Sequence, residues 1–391
     1  MTTDTAQPAT TLPGAPELAP AGLEGVAVAE TAIGDVRGSE GFYHYRGYSA
    51  IELASSRTFE EVWYLVAEGH LPTAVEAASF AARTARERRL PDALSALLGQ
   101  LALDARPLEV ARSAVSVLGA ELGWPPLLDL DLEQAKDEAL RLCAVLPTIV
   151  AGAAAASAAR PPVEPRTDRS FAADYLSMVV GHEPDAVAVR ALEQYLVLTI
   201  DHGFNASTFA ARVIASTGAD LASAICGAIG ALSGPLHGGA PSRVLEMLDE
   251  IGDESRIENW VHVALAGRAR VMGFGHRIYR GEDPRSRYLR QLAEQMGSPR
   301  LAFARAVEET VVRVLEERYP ERELRANVEF YAAIVLEACG VPREMFTATF
   351  AVARAVGWSA NVLEQLEHNR LFRPIARYVG PPARPLPEPE R

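Results

Sequence analysis

Along most of the chain, apolar side chains return every three and four residues, the period of an α-helix that buries one face. In SRTFEEVWYLVAEGHLP, residues 56–72, Thr58 is placed to cap, Glu60 and Glu61 fill the first turn, and Gly69 with Pro72 closes the segment. The stretches SPRLAFARAVEETVVRVLEERYP, from Ser298, and NVEFYAAIVLEACGVP, from Asn327, follow the same grammar. Strand-like alternation is confined to GVAVAETAIGDVRGSEGFYHYRGY, residues 25–48, which predicts a small hairpin. There is no repeat at a 20–50-residue period and no glycine-rich phosphate loop after a strand. The pattern predicts an all-α protein.

Two apolar segments need separate treatment. LCAVLPTIVAGAAAASAA, from Leu142, is long enough to span a membrane, yet it is mostly small residues and holds Pro147, which predicts a buried helix. FAARVIASTGADLASAICGAIGAL, Phe209 to Leu232, is rich in residues that let helices approach closely. It predicts a core segment that also serves a subunit interface.

With 391 residues and 49% hydrophobic content, the chain has length for one large core or two domains. A net charge of −13 argues against nucleic acid or an anionic membrane as partner, because both need a basic face. Cys143, Cys226 and Cys339 lie far apart in helical contexts, so they are expected to be buried reduced thiols of a cytoplasmic protein. The first residues carry no basic side chain before Arg37, which argues against a secretory or transit signal. The Pro/Ala/Thr-rich start and the proline-rich GPPARPLPEPER end are expected to be tails without a core.

The chemistry concentrates in loops. His237 lies in LSGPLHGGAPS, between two helical segments, with Ala240–Pro241–Ser242 restarting a helix. His276 lies in GRARVMGFGHRIYRGEDPRSRYLR, which holds Arg268, Arg270, Arg277, Arg280, Arg285, Arg287 and Arg290. Glycines and Pro284 interrupt this basic run, so it predicts an anion-binding loop rather than a solvated helix face. DHGFNASTF supplies a third loop histidine, His202. No histidine, cysteine or aspartate spacing matches a metal site, and none is expected.

GPLHGGA, MGFGHRIYRGEDPR, NVEFY and ARAVGWSANVLEQLEHNRLFRP, in that order, resemble the citrate synthase family over most of the chain. The resemblance implies a two-domain all-α fold. The large domain would be 22–237 and 341–380, the small domain 238–340, with tails 1–21 and 381–391. It implies a homodimer that condenses acetyl-CoA with oxaloacetate and hydrolyses citryl-CoA, with no cofactor, coenzyme A thioester being a substrate. By the same resemblance His237 holds the thioester oxygen as a neutral donor, its imidazolium disfavoured by the helix N-terminus. His276 polarises the ketone, and His202, Arg285, Arg354 and Arg373 bind oxaloacetate, Arg373 reaching in from the partner subunit. Arg280 meets a coenzyme A phosphate, and Val271, Met272, Gly273, Phe274 and Gly275 cradle adenine.

The general base departs from the family pattern Asn-Val-Asp-Phe: here it reads Asn327–Val328–Glu329–Phe330, one methylene longer. A misplacement near 1 Å costs on the order of 10²-fold. The expectation is therefore either a helix set back around Glu329 or a slower paralogue. A 2-methylcitrate synthase taking propionyl-CoA and a weakly catalytic CoA-binding regulator are the alternative functions.

Overall fold

A computed structural model describes residues 17–101, 105–238, 240–267, 269–276, 278–279 and 281–386, the side chains of 240–242 excepted. Thr31–Arg370 forms one compact unit, and the segments before Thr31 and after Arg370 form another. In the second, the described chain is irregular apart from a single 3-10 turn, Ala21–Leu23.

The larger unit opens with an antiparallel sheet in the order β1 (Gly34–Arg37), β2 (Phe42–Tyr45), β3 (Tyr48–Ser49), pairing Gly34 with Tyr45 and His44 with Ser49. The expected hairpin therefore gains a short third strand. Helices follow: α1 (Ala50–Ser56), α2 (Phe59–Glu68), α3 (Ala74–Arg86), α4 (Asp92–Leu101), α5 (Pro107–Glu121) and α6 (Leu132–Ser157). Thr58 and Glu61 form a reciprocal capping box on α2, and Gly69 ends it at φ 86°, a left-handed turn that only glycine enters cheaply. α6 keeps Pro147 inside it, and the most apolar window of this membrane-length helix is 83% buried. It is a core helix.

α7 (Phe171–Val180), α8 (Ala186–Thr199), α9 (Ala206–Ser216) and α10 (Leu221–Leu232) come next. The small-residue run at 209–232 is thus two packed helices: Gly218, at φ 81°, ends one and Asp220 caps the other. α11 (Ala240–Ile251), α12 (Ile257–Ala266), α13 (Pro284–Gln295), α14 (Leu301–Arg318) and α15 (Val328–Ala338) pack chiefly among themselves. They meet the rest of the unit mainly through α8 and the long α16 (Phe346–Glu367). α16 is buried along most of its length and touches α2, α5, α6, α8, α9, α10 and α11. It is the axle of the fold. Cys143 and Cys339 are buried, but Cys226 is only half-buried and its thiol donates to the Arg112 carbonyl.

Candidate active site

Most candidate side chains sit where a helix starts or a glycine bends the backbone; Arg354 lies inside α16 and Arg373 on the segment after it. Asn205 caps α9 by accepting from the Ser207 and Thr208 amides, which turns the start of α9 toward His237. The Ser207 amide donates to His237 Nε2 at 3.3 Å, and the Ser207 hydroxyl lies 2.8 Å from the same nitrogen. A nitrogen that accepts an amide proton carries none, so His237 is the Nδ1–H tautomer. Trp358 of α16 donates to the Ser207 hydroxyl at 3.1 Å and fixes it in turn. Burial first, then the Arg354 charge, lowers the His237 pKa to about 4. The imidazole is held neutral by desolvation and a neighbouring cation, where the sequence pointed to the helix N-terminus as the cause.

His276 is held in the opposite tautomer. The amides of Ile278 and Tyr279 donate to its Nδ1 at 3.0 and 3.1 Å, so the proton is on Nε2. Burial and then Arg285 lower its pKa to about 4. Its Nε2 lies 3.4 Å from an Arg285 Nη. With the imidazole proton on Nε2, both groups are donors, and the two stand side by side in the site. His202 packs edge-on to His276 at 5.4 Å between ring centres, and its Nε2 is 3.0 Å from the Tyr279 hydroxyl. Burial, then the charge of Arg285, holds His202 well below the usual histidine range.

Arg285 follows Asp283, the cap of α13, whose carboxylate grips the guanidinium from Nε at 3.0 Å and Nη2 at 2.8 Å. The rings of Tyr43 and Tyr279 flank the guanidinium at 5.7 and 5.8 Å. Tyr43 comes from β2, so the small sheet supplies a wall of this site. Against burial, Arg285 holds the Asp283 carboxyl below its usual range. Arg354 projects from α16, donates through Nε to the Thr199 carbonyl at 2.8 Å and lies over Phe350. Of the other arginines in the basic loop, Arg287 and Arg290 pair with Glu282, and Arg270 is exposed. Arg268, Arg277 and Arg280 lie outside the described residues.

The loop from Val271 to Gly275 is pinned to the start of α15. The Gly275 amide donates to the Arg325 carbonyl, the Asn327 amide to Gly273 and the Asn327 side chain to Gly275. Gly273, at φ 79°, has Phe330 and Val244 where a Cβ would stand, so no other residue fits. Asn327 caps α15 by accepting from the Glu329 amide, and Asp283 accepts from the Val328 amide at 3.2 Å. The basic loop, Arg285 and the backbone of Glu329 are thereby one assembly. Glu329 retains partial access to solvent, yet its surroundings raise the carboxyl to about 8, through burial, with Arg285 opposing and Asp283 adding. Arg373 is exposed on the segment after α16 and donates to the Pro374 carbonyl.

The structure thus gathers His202, His276 and Arg285 through direct contacts, with Arg354 charge-coupled to His202 and His237, and Glu329 to Arg285. Sequence reasoning missed Ser207, Trp358, Tyr279, Asp283 and Tyr43. Tyr279 and Asp283 stand within the quoted loop motif, and Ser207 within an Asn-Ala-Ser cap.

The family profile described as "Citrate synthase, C-terminal domain" matches residues 22–375. A citrate synthase of Deinococcus radiodurans is 38% identical over 360 residues, covering 92% of this chain and 95% of that protein. A 2-methylcitrate synthase of Mycobacterium tuberculosis is 39% identical over 367 residues, covering 94% and 92%. A solved citrate synthase from Thermoplasma acidophilum, in ternary complex with carboxymethyl coenzyme A and oxaloacetate, superposes with a TM-score of 0.87 at 30% identity, covering 95% and 98%.

Proposed function

The chain belongs to the citrate synthase family of acyltransferases, and from that premise we propose that it joins acetyl-CoA to oxaloacetate and hydrolyses the citryl thioester to citrate and coenzyme A. The observation that carries this reading is the pair of neutral histidines locked as opposite tautomers, with a raised carboxyl and buried arginines beside them. Glu329 takes a methyl proton from the thioester. The His237 Nδ1–H donates to the thioester oxygen as it becomes an enolate oxygen. The enolate carbon attacks the ketone carbon of oxaloacetate. That ketone oxygen accepts from His276 Nε2–H and from the neighbouring Arg285 N–H, and these donors take up its developing charge. Arg285, Arg354, His202 and, from a partner subunit, Arg373 hold the two carboxylates. A neutral analogue would forgo the charge-assisted hydrogen bonds that these guanidinium groups offer a carboxylate and so bind more weakly.

The bare backbone of Val271, Met272, Gly273, Phe274 and Gly275 supports the adenine assignment, and Arg280 is assigned to a coenzyme A phosphate. The lobe α11–α15 carries Arg285 while α16 carries Arg354, so a dianion between them favours closure of residues 238–340 onto the remainder. A homodimer, a cytoplasmic location and dependence on no cofactor complete the proposal.

The 2-methylcitrate synthase relative, at 39% identity beside 38% for the citrate synthase of Deinococcus radiodurans, favours propionyl-CoA as a second reading. One methyl shifts selectivity by only about 1–3 kcal/mol. Thiol release with oxaloacetate and either acetyl-CoA or propionyl-CoA separates the two. A higher kcat/KM for acetyl-CoA supports the first reading, a higher value for propionyl-CoA the second, and release with neither removes both.

A further inference from the structure

Tyr279 touches three of the groups placed around the dicarboxylate. Its amide donates to His276 Nδ1 at 3.1 Å, its ring lies 5.8 Å from the Arg285 guanidinium, and its hydroxyl meets His202 Nε2 at 3.0 Å. The residue is 2% exposed, and burial keeps the phenol protonated by raising its pKa.

The three histidines are not held alike. His237 and His276 each have one nitrogen occupied by backbone amides, which can only donate, so their tautomers are fixed by the chain itself. His202 Nε2 instead faces a hydroxyl, which can give or take the hydrogen bond. The His202 ring lies 5.4 Å from that of His276 and 5.5 Å from that of Tyr279, centre to centre. An imidazole this deeply buried and neutral needs a partner that orients it without charging it, and the phenol meets that need.

We infer that Tyr279 is the positioning residue of His202: its hydroxyl holds the ring by Nε2 and so fixes the imidazole beside the bound dicarboxylate, and it governs oxaloacetate affinity rather than the condensation step. The inference rests on the oxaloacetate reading of this site. Tyr279→Phe keeps the ring and the amide bond to His276 and removes only the hydroxyl.

The test is steady-state thiol release with oxaloacetate varied, for the unmodified protein, Tyr279→Phe, His202→Gln and the double variant. Losing one uncharged hydrogen bond predicts an oxaloacetate KM about 3–10-fold higher in Tyr279→Phe, with kcat within about twofold. In the His202→Gln background the same change should add less than about 1.5-fold, because the tyrosine acts through the histidine. An unchanged oxaloacetate KM, or an equal increase in both backgrounds, overturns the inference. If His202→Gln itself leaves the oxaloacetate KM unmoved, the dicarboxylate reading fails and takes the inference with it. The unmodified protein provides a readout independent of any variant. With nitrogen-15-labelled histidine, oxaloacetate should move the His202 Nε2 resonance while His276 Nδ1 keeps the shift of an amide-bonded acceptor. A stationary His202 resonance overturns the inference.

Discussion

Burial holds Glu329 and the active-site histidines in their uncharged forms by opposite shifts, the carboxyl up to about 8 and His237 and His276 down to about 4. At pH 7 roughly a tenth of Glu329 is ionised. The rate of proton removal should therefore rise with pH through about 8, and kcat/KM for acetyl-CoA measured from pH 6 to 9 should show that ascending limb. A flat profile would separate Glu329 from the proton transfer. Glu329→Asp should slow turnover about 10–100-fold, because the Asn327 cap and the Asp283–Val328 bond fix the backbone from which the carboxylate must reach. A faster Glu329→Asp enzyme would mean that the backbone stands at the distance suited to aspartate. The depressed histidines act on stability, at lower pH. The unfolded chain takes up protons near pH 6.5 that the folded imidazoles refuse until about 4, so stability falls as pH drops through that window. Each costs up to about 3 kcal/mol of stability below about pH 4 and less at pH 5, so urea unfolding at pH 5 and pH 7 should show a smaller difference for His276→Gln than for the unmodified protein. The histidines, arginines and Glu329 were legible in the sequence because glycine-rich loops and a recognisable motif order marked them. Ser207 and Tyr279 were not, because a serine in a cap and a tyrosine in a loop acquire their roles only from the ring that tertiary structure sets against them.

Helix caps and periodicity gave the elements their boundaries, as at Thr58 and Gly69. The break at Gly218–Asp220 was harder to see, since alanine-rich sequence on both sides keeps the helical period running across it. The function of the small sheet was invisible to pattern, because strand alternation reports burial and not what the buried face touches. Its turn shows why this matters. A Cβ on Gly38 would lie 2.0 Å from the Ile278 carbonyl oxygen, on the segment whose amides hold His276. Gly38→Ala must push that segment away. Oxaloacetate KM should rise about tenfold or more, at a stability cost of about 1–3 kcal/mol typical of overpacking. Paired thermal melts and oxaloacetate titrations check this. An unchanged KM would show that the sheet and the histidine loop are not coupled.

At the scale of the whole molecule, the all-α architecture followed from composition and period, whereas the gathering of α9, the 271–279 loop, α15 and α16 around one site depended on contacts far apart in sequence. Arg373 stands exposed on the segment after α16, and the proposed dimer uses it to complete a partner's site. Mixing Arg373→Ala protein with His237→Ala protein should restore part of the lost activity through hybrid dimers, and no recovery after verified subunit exchange would count against a shared site. The central claim is that these residues form a carbon–carbon bond between a thioester and a keto dicarboxylate, with Glu329 as the base. The measurement that tests it most directly is oxaloacetate-dependent coenzyme A release from acetyl-CoA by the unmodified protein and by Glu329→Gln. The account predicts turnover by the first and a loss of at least about 10²-fold in the second, with oxaloacetate binding retained. Equal turnover by the two proteins would contradict it.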